Sequence, residues 1–293
     1  MEQLFSFAAY LLMVGCIFSM LSLSLDLQLG WCGLVNFGQV AFLVVGGYAT
    51  AIATNAGLSP WLAMPIAALA GGLFGMLLAL TVRNMSGTYW GILSLALAEL
   101  VRLFVLNEQW VGGGAGGSTV LVRVPGFRWL VPASTLAVYL LMRLIGASAF
   151  GRTIRMIRDG DRLALALGKP VFAFKLETMF IAGAIGGLAG AYYALLNRYI
   201  SPDDGLPVET FVLWAMVIVG GRGNPTGVIV GTVLVQTLYV GTRFLSTVVH
   251  IPPEVLSALR LTFIGALITV IMMFRPKGLL PERRRIFGMG EGA

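Results

Sequence analysis

The stretch LFSFAAYLLMVGCIFSMLSLSL, residues 4–25, contains no charged side chain. A bilayer core of about 30 Å requires roughly 20 predominantly apolar residues per helical crossing, so this stretch predicts a transmembrane helix. The rest of the chain has the same character, since 58% of its 293 residues are hydrophobic and 11% are charged. A soluble domain carries roughly 25% charged residues. We therefore expect a membrane protein, with residues 1–293 forming a single polytopic transmembrane domain.

Apolar runs of similar length recur along the chain and predict an all-α fold. We expect a polytopic transmembrane helical bundle of about nine to ten membrane segments, with spans near residues 4–25, 31–54, 60–82, 87–106, 129–147, 173–197, 208–221, 227–245 and 258–274. The run at 208–221 is short and leads into GGRGNPTG (220–227). It either crosses fully or forms a broken, re-entrant helix.

Glycines at four-residue spacing recur inside these runs. The pairs are Gly71/Gly75, Gly183/Gly187, Gly186/Gly190, Gly223/Gly227 and Gly227/Gly231. Small residues at this spacing let helix backbones approach closely. We therefore expect the helices to pack as a tight bundle.

The distribution of charge predicts the orientation, because short cytoplasmic loops carry an excess of lysine and arginine. Basic residues collect at 152–175 and at 275–285, so we expect both regions to be cytoplasmic. The segment between them, NRYISPDDGLPVET (197–210), is acidic and is expected to lie outside. Nine crossings with the N-terminus outside and the C-terminus in the cytoplasm satisfy these signs. Topology thus accounts for the net charge of +7, and we expect membrane lipid, not nucleic acid, as a partner.

Motifs for catalysis, metal binding or nucleotide binding are weak. The single histidine, His250, cannot form a His-Glu-x-x-His zinc site or a histidine relay. Cys16 and Cys32 lack the spacing of a metal site or redox pair. GGGAGG (112–117) is not part of a predicted βαβ unit, and GKP (168–170) lacks the Ser or Thr of a phosphate-binding loop. We expect no catalytic, cofactor-binding or metal-binding residue and a protein that is not an enzyme.

Polar residues inside the predicted spans are candidates for a translocation path, since an ionised side chain at the bilayer centre costs roughly 2.5 to 3.5 kcal/mol. Asn36 and Gln39 would share one helical face, where they either line a polar path or hydrogen-bond to a neighbouring helix. Glu99 and Arg102 have the same spacing and are expected to form a structural pair rather than a proton relay. The candidate path residues are Asn36, Gln39, Tyr48 and Glu99.

The stretch AFGRTIRMIRDGDRLALALGKP (149–170) concentrates charge in a chain that otherwise avoids it. On a helix, four charged residues of its first part fall on one side: Arg152, Arg155, Arg158 and Asp159. The pattern predicts an amphipathic surface helix, a break around Gly160 and a second short turn that stops at Gly168. Two interpretations fit these arginines. They either reflect positive-inside charge alone or form a docking element for a cytoplasmic partner.

These residues resemble a known family, the inner-membrane permeases of branched-chain amino acid ABC importers, of the LivM type. FGRTIRMIRDGDRLALALG (150–168) is the most specific element of the resemblance. Other family-like segments occur in family order: GLVNFGQVAFLVVGGYATA (33–51), GTYWGILSLALAELVRL (87–103), GGGAGGS (112–118), AGAIGGLAGAYYALLNRYISPD (182–203), VIVGGRGNPTGVIVG (217–231) and FRPKGLL (274–280).

The resemblance implies an ABC importer permease fold and import of branched-chain or other hydrophobic amino acids by alternating access. It implies four kinds of partner: a homologous permease, usually in a heterodimer, two cytosolic ATPase subunits, a periplasmic or lipid-anchored substrate-binding protein, and the lipid of the bacterial inner membrane. It also implies that residues 149–170 couple the ATPases to the transmembrane helices. The residues matched or assigned to this coupling are Gly151, Arg152, Arg155, Arg158, Asp159, Arg162, Ala164, Leu167 and Gly168.

Two departures from the family pattern leave the substrate open. Gln39 stands where the family often has histidine, and the glycine-rich loop GGGAGGSTV (112–120) is looser than usual. Related permeases import urea, short amides or other amino acids, and a fold alone does not choose among these substrates. A secondary carrier or channel and a membrane anchor for an enzyme complex are the alternatives from other classes.

Overall fold

The computed structural model describes residues 2–83, 87–122 and 124–248, and also residues 262, 265–266, 269–270, 273–275 and 278–282. The described helices are α1 (Glu2–Asp26), α2 (Val40–Asn55), α3 (Pro60–Thr81), α4 (Gly87–Asn107), α5 (Gln109–Gly112), α6 (Phe127–Ala147), α7 (Ala149–Asp159), α8 (Asp161–Ala166), α9 (Val171–Asn197), α10 (Pro207–Gly220) and α11 (Pro225–Val248). The shorter elements are a π-helical turn (Leu27–Cys32), two 3-10 turns (Gly114–Gly116 and Pro202–Gly205) and two strands, β1 (Ser118–Thr119) and β2 (Tyr199–Ile200).

Several of these helices are long and apolar enough to cross a membrane. Within the described residues there are five such segments: Ala8–Cys32, Pro60–Thr81, Tyr89–Asn107, Phe127–Ala147 and Val171–Asn197. α2 and α10 are also apolar but shorter. The 14 residues of α10 extend about 21 Å, less than the thickness of a bilayer core. The structure is thus a helical bundle with several membrane segments, and the number of nine to ten stays a prediction.

Glycines allow α2, α3 and α9 to pack backbone against backbone at the centre of the bundle. A Cβ added to Gly183 of α9 would meet the carbonyl oxygen of Gly71 on α3. One added to Gly190 would meet the backbone of α2, and Gly220 and Gly227 approach each other similarly between α10 and α11. Helix backbones this close leave no room for a side chain. The close approach predicted from the glycine spacing is confirmed for these helices.

The predicted continuous span at 31–54 is wrong in its first part. α1 leads into the π-helical turn, and residues 33–39 form a mostly irregular connection before α2 begins. Gly33 has a φ of +74°, a left-handed conformation that glycine adopts without strain and that ends the turn. The Asn36 side chain then accepts a hydrogen bond from the Gly38 N–H at 2.7 Å, which competes with helix formation. Asn36 and Gln39 therefore do not share one helical face.

The other predicted spans on described residues agree with the observed helices to within three residues at each end. The prediction is correct there because each apolar run is bounded by turn residues or charges. The predicted span at 258–274 and the basic tail up to Arg285 lie mainly outside the described residues, as does His250.

The bundle has two distinct ends. α7, α8, the turn between α10 and α11, and residues 278–282 meet at one end, which we call the arginine end. The other end carries the glycine-rich loop, and we call it the glycine-loop end. There β1 pairs antiparallel with β2, with Ser118 opposite Ile200, so the all-α prediction needs this small correction. The backbone of the glycine-rich loop is not helical at β1, and its N–H and C=O groups there form hydrogen bonds with β2 instead.

Candidate functional site

The charged stretch forms a surface helix, a break and a second helix, as its periodicity predicts. α7 begins after Ser148, whose hydroxyl accepts a hydrogen bond from the Gly151 N–H at 3.2 Å and caps the helix. Ile154 and Ile157 of α7 are buried. α8 follows and ends at Ala166, and Gly168, with a φ of +71°, stops the chain from continuing as a helix, as predicted.

Two arginines of α7 turn inward. Arg158 donates hydrogen bonds to the carbonyl oxygen of Gly30, in the π-helical turn, and to Glu282 Oε2 at 2.9 Å. Arg155 Nε lies 3.7 Å from Glu282 Oε1, and its guanidinium lies over the Trp31 ring, 4.7 Å from the centroid. Burial lowers the pKa of the Arg155 guanidinium from its usual value, and the Glu282 carboxylate opposes this shift. One carboxylate thus contacts both arginines.

Asp26 and Gly223 extend this cluster to the membrane helices. The fully buried Asp26 ends α1, and its Oδ1 accepts a hydrogen bond from the Gly223 N–H at 2.6 Å. The Trp31 indole N–H donates to the Gly223 carbonyl oxygen at 3.2 Å. Gly223 has a φ of +85°, and a Cβ there would meet the Glu282 side chain, so this position requires glycine. We call this set the clasp: Asp26, Trp31, Arg155, Arg158, Gly223 and Glu282.

The segment 278–282 reaches the clasp along the end of α10. The Leu279 N–H donates to the Val219 carbonyl oxygen at 2.9 Å, and the Leu280 N–H donates to that of Gly220 at 3.0 Å. The two arginines and two carboxylates of the clasp balance in formal charge, which reduces the cost of placing charges in a poorly solvated site. The clasp therefore joins α7 to α1, to the α10–α11 turn and to segment 278–282.

The clasp offers fixed charges and hydrogen bonds but contains no serine, cysteine or histidine nucleophile. Across the described ranges, no three His, Cys, Asp or Glu side chains are grouped closely enough to hold a metal ion. The arrangement connects separate elements through charge pairs and hydrogen bonds.

The opposite face of the charged stretch is open. Arg152 and Asp159 of α7 and Arg162 of α8 are exposed, and so is Lys169 after α8. Three leucines leave more than half of their surface uncovered: Leu163, Leu165 and Leu167. An apolar patch beside cations is typical of a surface that contacts another protein. Of the four charged residues predicted on one side, two therefore face the clasp and two face outward.

The candidate path residues Asn36 and Gln39 belong to a second, fully buried polar cluster. Gln39 accepts a hydrogen bond from Gln28 Nε2 at 2.8 Å and donates one to Ser24 Oγ at 2.9 Å. Asn36 donates to Gln28 Oε1 at 2.8 Å. In this conformation the two residues hydrogen-bond within the chain and join α1 to the start of α2.

The other two path candidates have separate partners. The buried Tyr48 donates from its hydroxyl to the Ile200 carbonyl oxygen at 3.5 Å, at the glycine-loop end. Glu99 pairs with Arg102, as predicted, with Oε1 2.6 Å from Arg102 Nη2. The structure thus brings Asn36 and Gln39 together but gives Tyr48 and Glu99 contacts of their own.

Comparison with known proteins gives the family. The family described as branched-chain amino acid transport system / permease component matches residues 7–272. The chain belongs to this family. The permease is 29% identical to "Probable branched-chain amino acid transport permease protein LivM" of Methanocaldococcus jannaschii, over 91% of each chain. It is 25% identical to "High-affinity branched-chain amino acid transport system permease protein LivM" of Escherichia coli, over 94% of this chain and 71% of the relative.

Relatives with other names also match. The permease is 28% identical to "Nucleoside ABC transporter permease protein NupC" of Lactococcus lactis, over 69% of this chain and 71% of the relative. All three relatives are named as permeases. The resemblance to LivM-type permeases is confirmed, and the permease is a membrane protein with several apolar helices.

Four of the six clasp residues in this permease were not among the sequence-predicted site residues: Asp26, Trp31, Gly223 and Glu282. Asp26 carried a signal, because it is the only carboxylate between Glu2 and Glu99 and it ends an uncharged apolar run. An ionisable residue in such a run is expected to have a specific partner. Glu282 carried no signal, since it lies beside three arginines in PERRR (281–285) and its nearest sequence neighbours would be expected to pair with it.

Proposed function

We propose that this permease is the membrane subunit of an ATP-driven importer of branched-chain amino acids and catalyses no reaction itself. The two LivM relatives support the substrate, because they match over more than nine tenths of this chain. The observation that carries the coupling to ATP hydrolysis is the clasp. It gives a surface segment with an exposed cationic and apolar face a rigid connection to the membrane helices.

The partners that we propose are a homologous permease, two cytosolic ATPases that hydrolyse ATP, and a periplasmic or lipid-anchored substrate-binding protein. The apolar outer face of α3 is consistent with contact to lipid or to a second permease. Leu69, Leu73 and Leu77 form a stripe along it and are 55%, 61% and 56% exposed. Leucines at helical spacing on an outer face are typical of a surface that meets lipid or another helix.

The proposed orientation places the arginine end in the cytoplasm and the glycine-loop end outside, in the inner membrane of a bacterium. The acidic residues Asp203 and Asp204 lie on the described segment that adjoins β2, at the end opposite the arginines. The excess of cationic loops on the cytoplasmic side supports this assignment. With the N-terminus outside and the C-terminus in the cytoplasm, residues 1–293 form one transmembrane domain.

We assign two roles to this end of the molecule. The exposed face of α7 and α8 contacts the ATPase, and the clasp transmits the movement of that face to the membrane helices. Outward residues of this coupling set are Arg152, Asp159, Arg162 and Leu167. Arg155 and Arg158 pass movement to α1 and to the α10–α11 turn through the contacts described above. Gly151 lets α7 pack on the end of α6, because a Cβ there would meet the Ile145 carbonyl oxygen.

The candidates for the border of the translocation path remain Asn36, Gln39, Tyr48 and Glu99. The conformation described here closes the region around Gln39 with hydrogen bonds between α1 and the start of α2. Opening a path would exchange these bonds for bonds to water or substrate. Since the net value of such a bond is about 1 kcal/mol, the exchange is compatible with a transport cycle driven by ATP.

The test is uptake by the complete complex in proteoliposomes. We expect uptake of radiolabelled leucine that requires both ATP and the binding protein, and that unlabelled isoleucine and valine reduce. Leucine uptake by the permease alone would indicate a secondary carrier. Uptake of a nucleoside or of urea without uptake of leucine would assign the permease to another substrate, and no uptake at all would favour a membrane anchor.

A further inference from the structure

A cavity of about 210 Å³ lies toward the glycine-loop end, between α1, α2, α9, α10 and α11. Its walls come from the middle of α1, the start of α2, the end of α9, the 3-10 turn Pro202–Gly205, the start of α10 and the middle of α11. Drug-sized ligands occupy pockets of about 300–1,000 Å³, so this cavity suits a smaller molecule. None of the path candidates from the sequence lines it.

One side of the cavity is apolar. Val14, Phe18, Val40 and Leu43 form this wall, and all four side chains are buried. These residues come from two helices, α1 and α2, and their side chains are aliphatic except for the Phe18 ring. Contact with this wall would remove the apolar surface of an aliphatic side chain from water, which is favourable.

The other side of the cavity is rich in hydrogen-bond acceptors. Asp203, Asp204 and Glu209 line it. The Tyr193 hydroxyl donates to Asp204 Oδ1 at 2.9 Å, and the Tyr239 hydroxyl donates to Glu209 Oε1 at 2.8 Å. These phenols hold the carboxylates in place. Among the described lining residues there is no lysine, arginine or histidine, and the Arg102 charge acts on Asp203 from outside the lining.

Gln236 supplies the observation that points to a ligand. Its side chain is 3% exposed and lines the cavity. Its Oε1 has no hydrogen-bond partner in the part of the chain that the structure describes. A buried carbonyl oxygen without a partner is costly, and such groups usually meet water, an ion or a ligand. An acceptor here, beside fixed carboxylates, calls for a cationic donor.

We propose that this cavity is a substrate-binding site within the permease itself, where the acidic side takes the ammonium group of an aliphatic amino acid and the apolar wall takes its side chain. The proposal rests on the amino-acid import proposed above. An ammonium group has three donors and no acceptor, so it can bond Gln236 Oε1 and a carboxylate together. The substrate's carboxylate would be repelled by the acidic side, so it would point toward the open mouth of the cavity.

The test measures binding of radiolabelled leucine to the full-length permease, assembled with its partner permease and ATPases in nanodiscs, without the binding protein. Isoamylamine keeps the ammonium group and branched chain but lacks the carboxylate, whereas isocaproate keeps the chain and carboxylate but lacks the ammonium. We expect isoamylamine to compete with leucine and isocaproate to compete at least tenfold less well. Equal competition by the two analogues would overturn the assignment of the acidic side.

Two variants test the location. Gln236→Leu removes the acceptor with little change of volume, and Val14→Phe fills part of the cavity. We expect each to weaken leucine binding at least tenfold. Thr232→Val is the matched control, because Thr232 is a buried polar residue one turn away on α11 that bonds the Val228 carbonyl and does not line the cavity. Co-purification with the partner subunits checks that each variant folds.

Two further outcomes separate this proposal from the proposed function. If the complete complex imports leucine but both cavity variants bind leucine like the wild type, only the cavity proposal is wrong. If the wild-type complex imports no amino acid, the proposed function is wrong whatever the cavity binds. Displacement of leucine by sodium ions but not by isoamylamine would assign the acidic side to an inorganic cation and would also overturn the proposal.

Discussion

Replacing Glu282 with glutamine tests the clasp with almost no change of volume. Glu282 lies 2.9 Å from Arg158 Nη1 and 3.7 Å from Arg155 Nε. The three side chains are 21%, 20% and 32% exposed, so solvent screens the pairs only in part. Two unit charges 4 Å apart attract by about 4 kcal/mol at an effective dielectric constant of 20, but desolvation offsets much of this.

The expected effect of Glu282→Gln follows from the net value of the bonds it changes. A hydrogen bond to a charged group contributes about 1.5–3 kcal/mol, and glutamine keeps one neutral acceptor. After allowance for partial exposure, we expect the free energy of unfolding to fall by about 1–2 kcal/mol. Chemical unfolding of the purified permease in detergent, followed by tryptophan fluorescence, measures this change.

A double-mutant cycle isolates the ion pair from other effects of the substitution. Combining Glu282→Gln with Arg158→Gln should give a coupling energy of about 1–2 kcal/mol. The matched cycle combines Glu282→Gln with Arg152→Gln. Because the Arg152 side chain is exposed and bonds the Ala147 carbonyl oxygen rather than Glu282 among the described residues, the two effects should be additive to within about 0.5 kcal/mol. If the changes in the free energy of unfolding are additive in both cycles, the ion pair that defines the clasp is refuted.

The same variant tests transmission in the complete complex. We expect Glu282→Gln to keep its association with the ATPases while the number of leucine molecules imported per ATP falls. Charge reversal at Arg158 is a less specific probe, because Arg158→Glu places a third carboxylate beside Asp26 and Glu282 and should destabilise the fold itself. An unchanged transport ratio in Glu282→Gln would refute the role of the clasp in coupling.

Three further predictions concern other parts of the chain. The double variant Arg152→Glu and Arg162→Glu should weaken association with the ATPase at low salt without lowering the stability of the permease. Pull-down at two ionic strengths measures this association. If the variant and the wild type associate equally at low salt, the assignment of this face to ATPase docking is contradicted. Gly183→Ala should destabilise the bundle by about 1–3 kcal/mol, because the added methyl group overpacks against α3. Gly15→Ala has open space at its Cβ position and should be neutral or stabilising by about 0.5–1 kcal/mol. Equal midpoints of the two unfolding curves would contradict this contrast. Gln39→Leu should cost about 1–3 kcal/mol, because it leaves Gln28 and Ser24 short of partners, and an unchanged free energy of unfolding would show that these bonds add nothing to stability.

Most of the helices could be predicted because a bilayer imposes a length and an apolar composition on each crossing. The glycine spacing also predicted close helix packing, since small residues let helix backbones approach each other, but it did not predict which helices make these contacts. The prediction failed at residues 33–39. Gly33 and the Asn36 side chain interrupt the helix there, yet the surrounding residues are as apolar as those of a true span.

Of the residues that form the candidate site, those of α7 could be predicted, but their partners on other elements could not. The periodicity of α7 identified its charged residues correctly, but periodicity says which residues share a face and not what that face contacts. Arg158 and Glu282 are 124 residues apart in sequence, and no local pattern links them. The cavity was missed for the same reason, because its lining comes from five helices and a 3-10 turn that meet only after folding.

Proximity between α8 and the ATPase is the most direct test of the coupling role. Arg162→Cys and Leu58→Cys each place one exposed cysteine, at the arginine end and at the glycine-loop end respectively, in a chain with Cys16 and Cys32 replaced by alanine. Treatment of the complete complex with a short thiol-to-amine cross-linker should join the Arg162→Cys variant to the ATPase and leave the Leu58→Cys variant unlinked to it. A cross-link to the ATPase from Leu58→Cys, or none from Arg162→Cys, would contradict the assignment of the arginine end to the coupling surface.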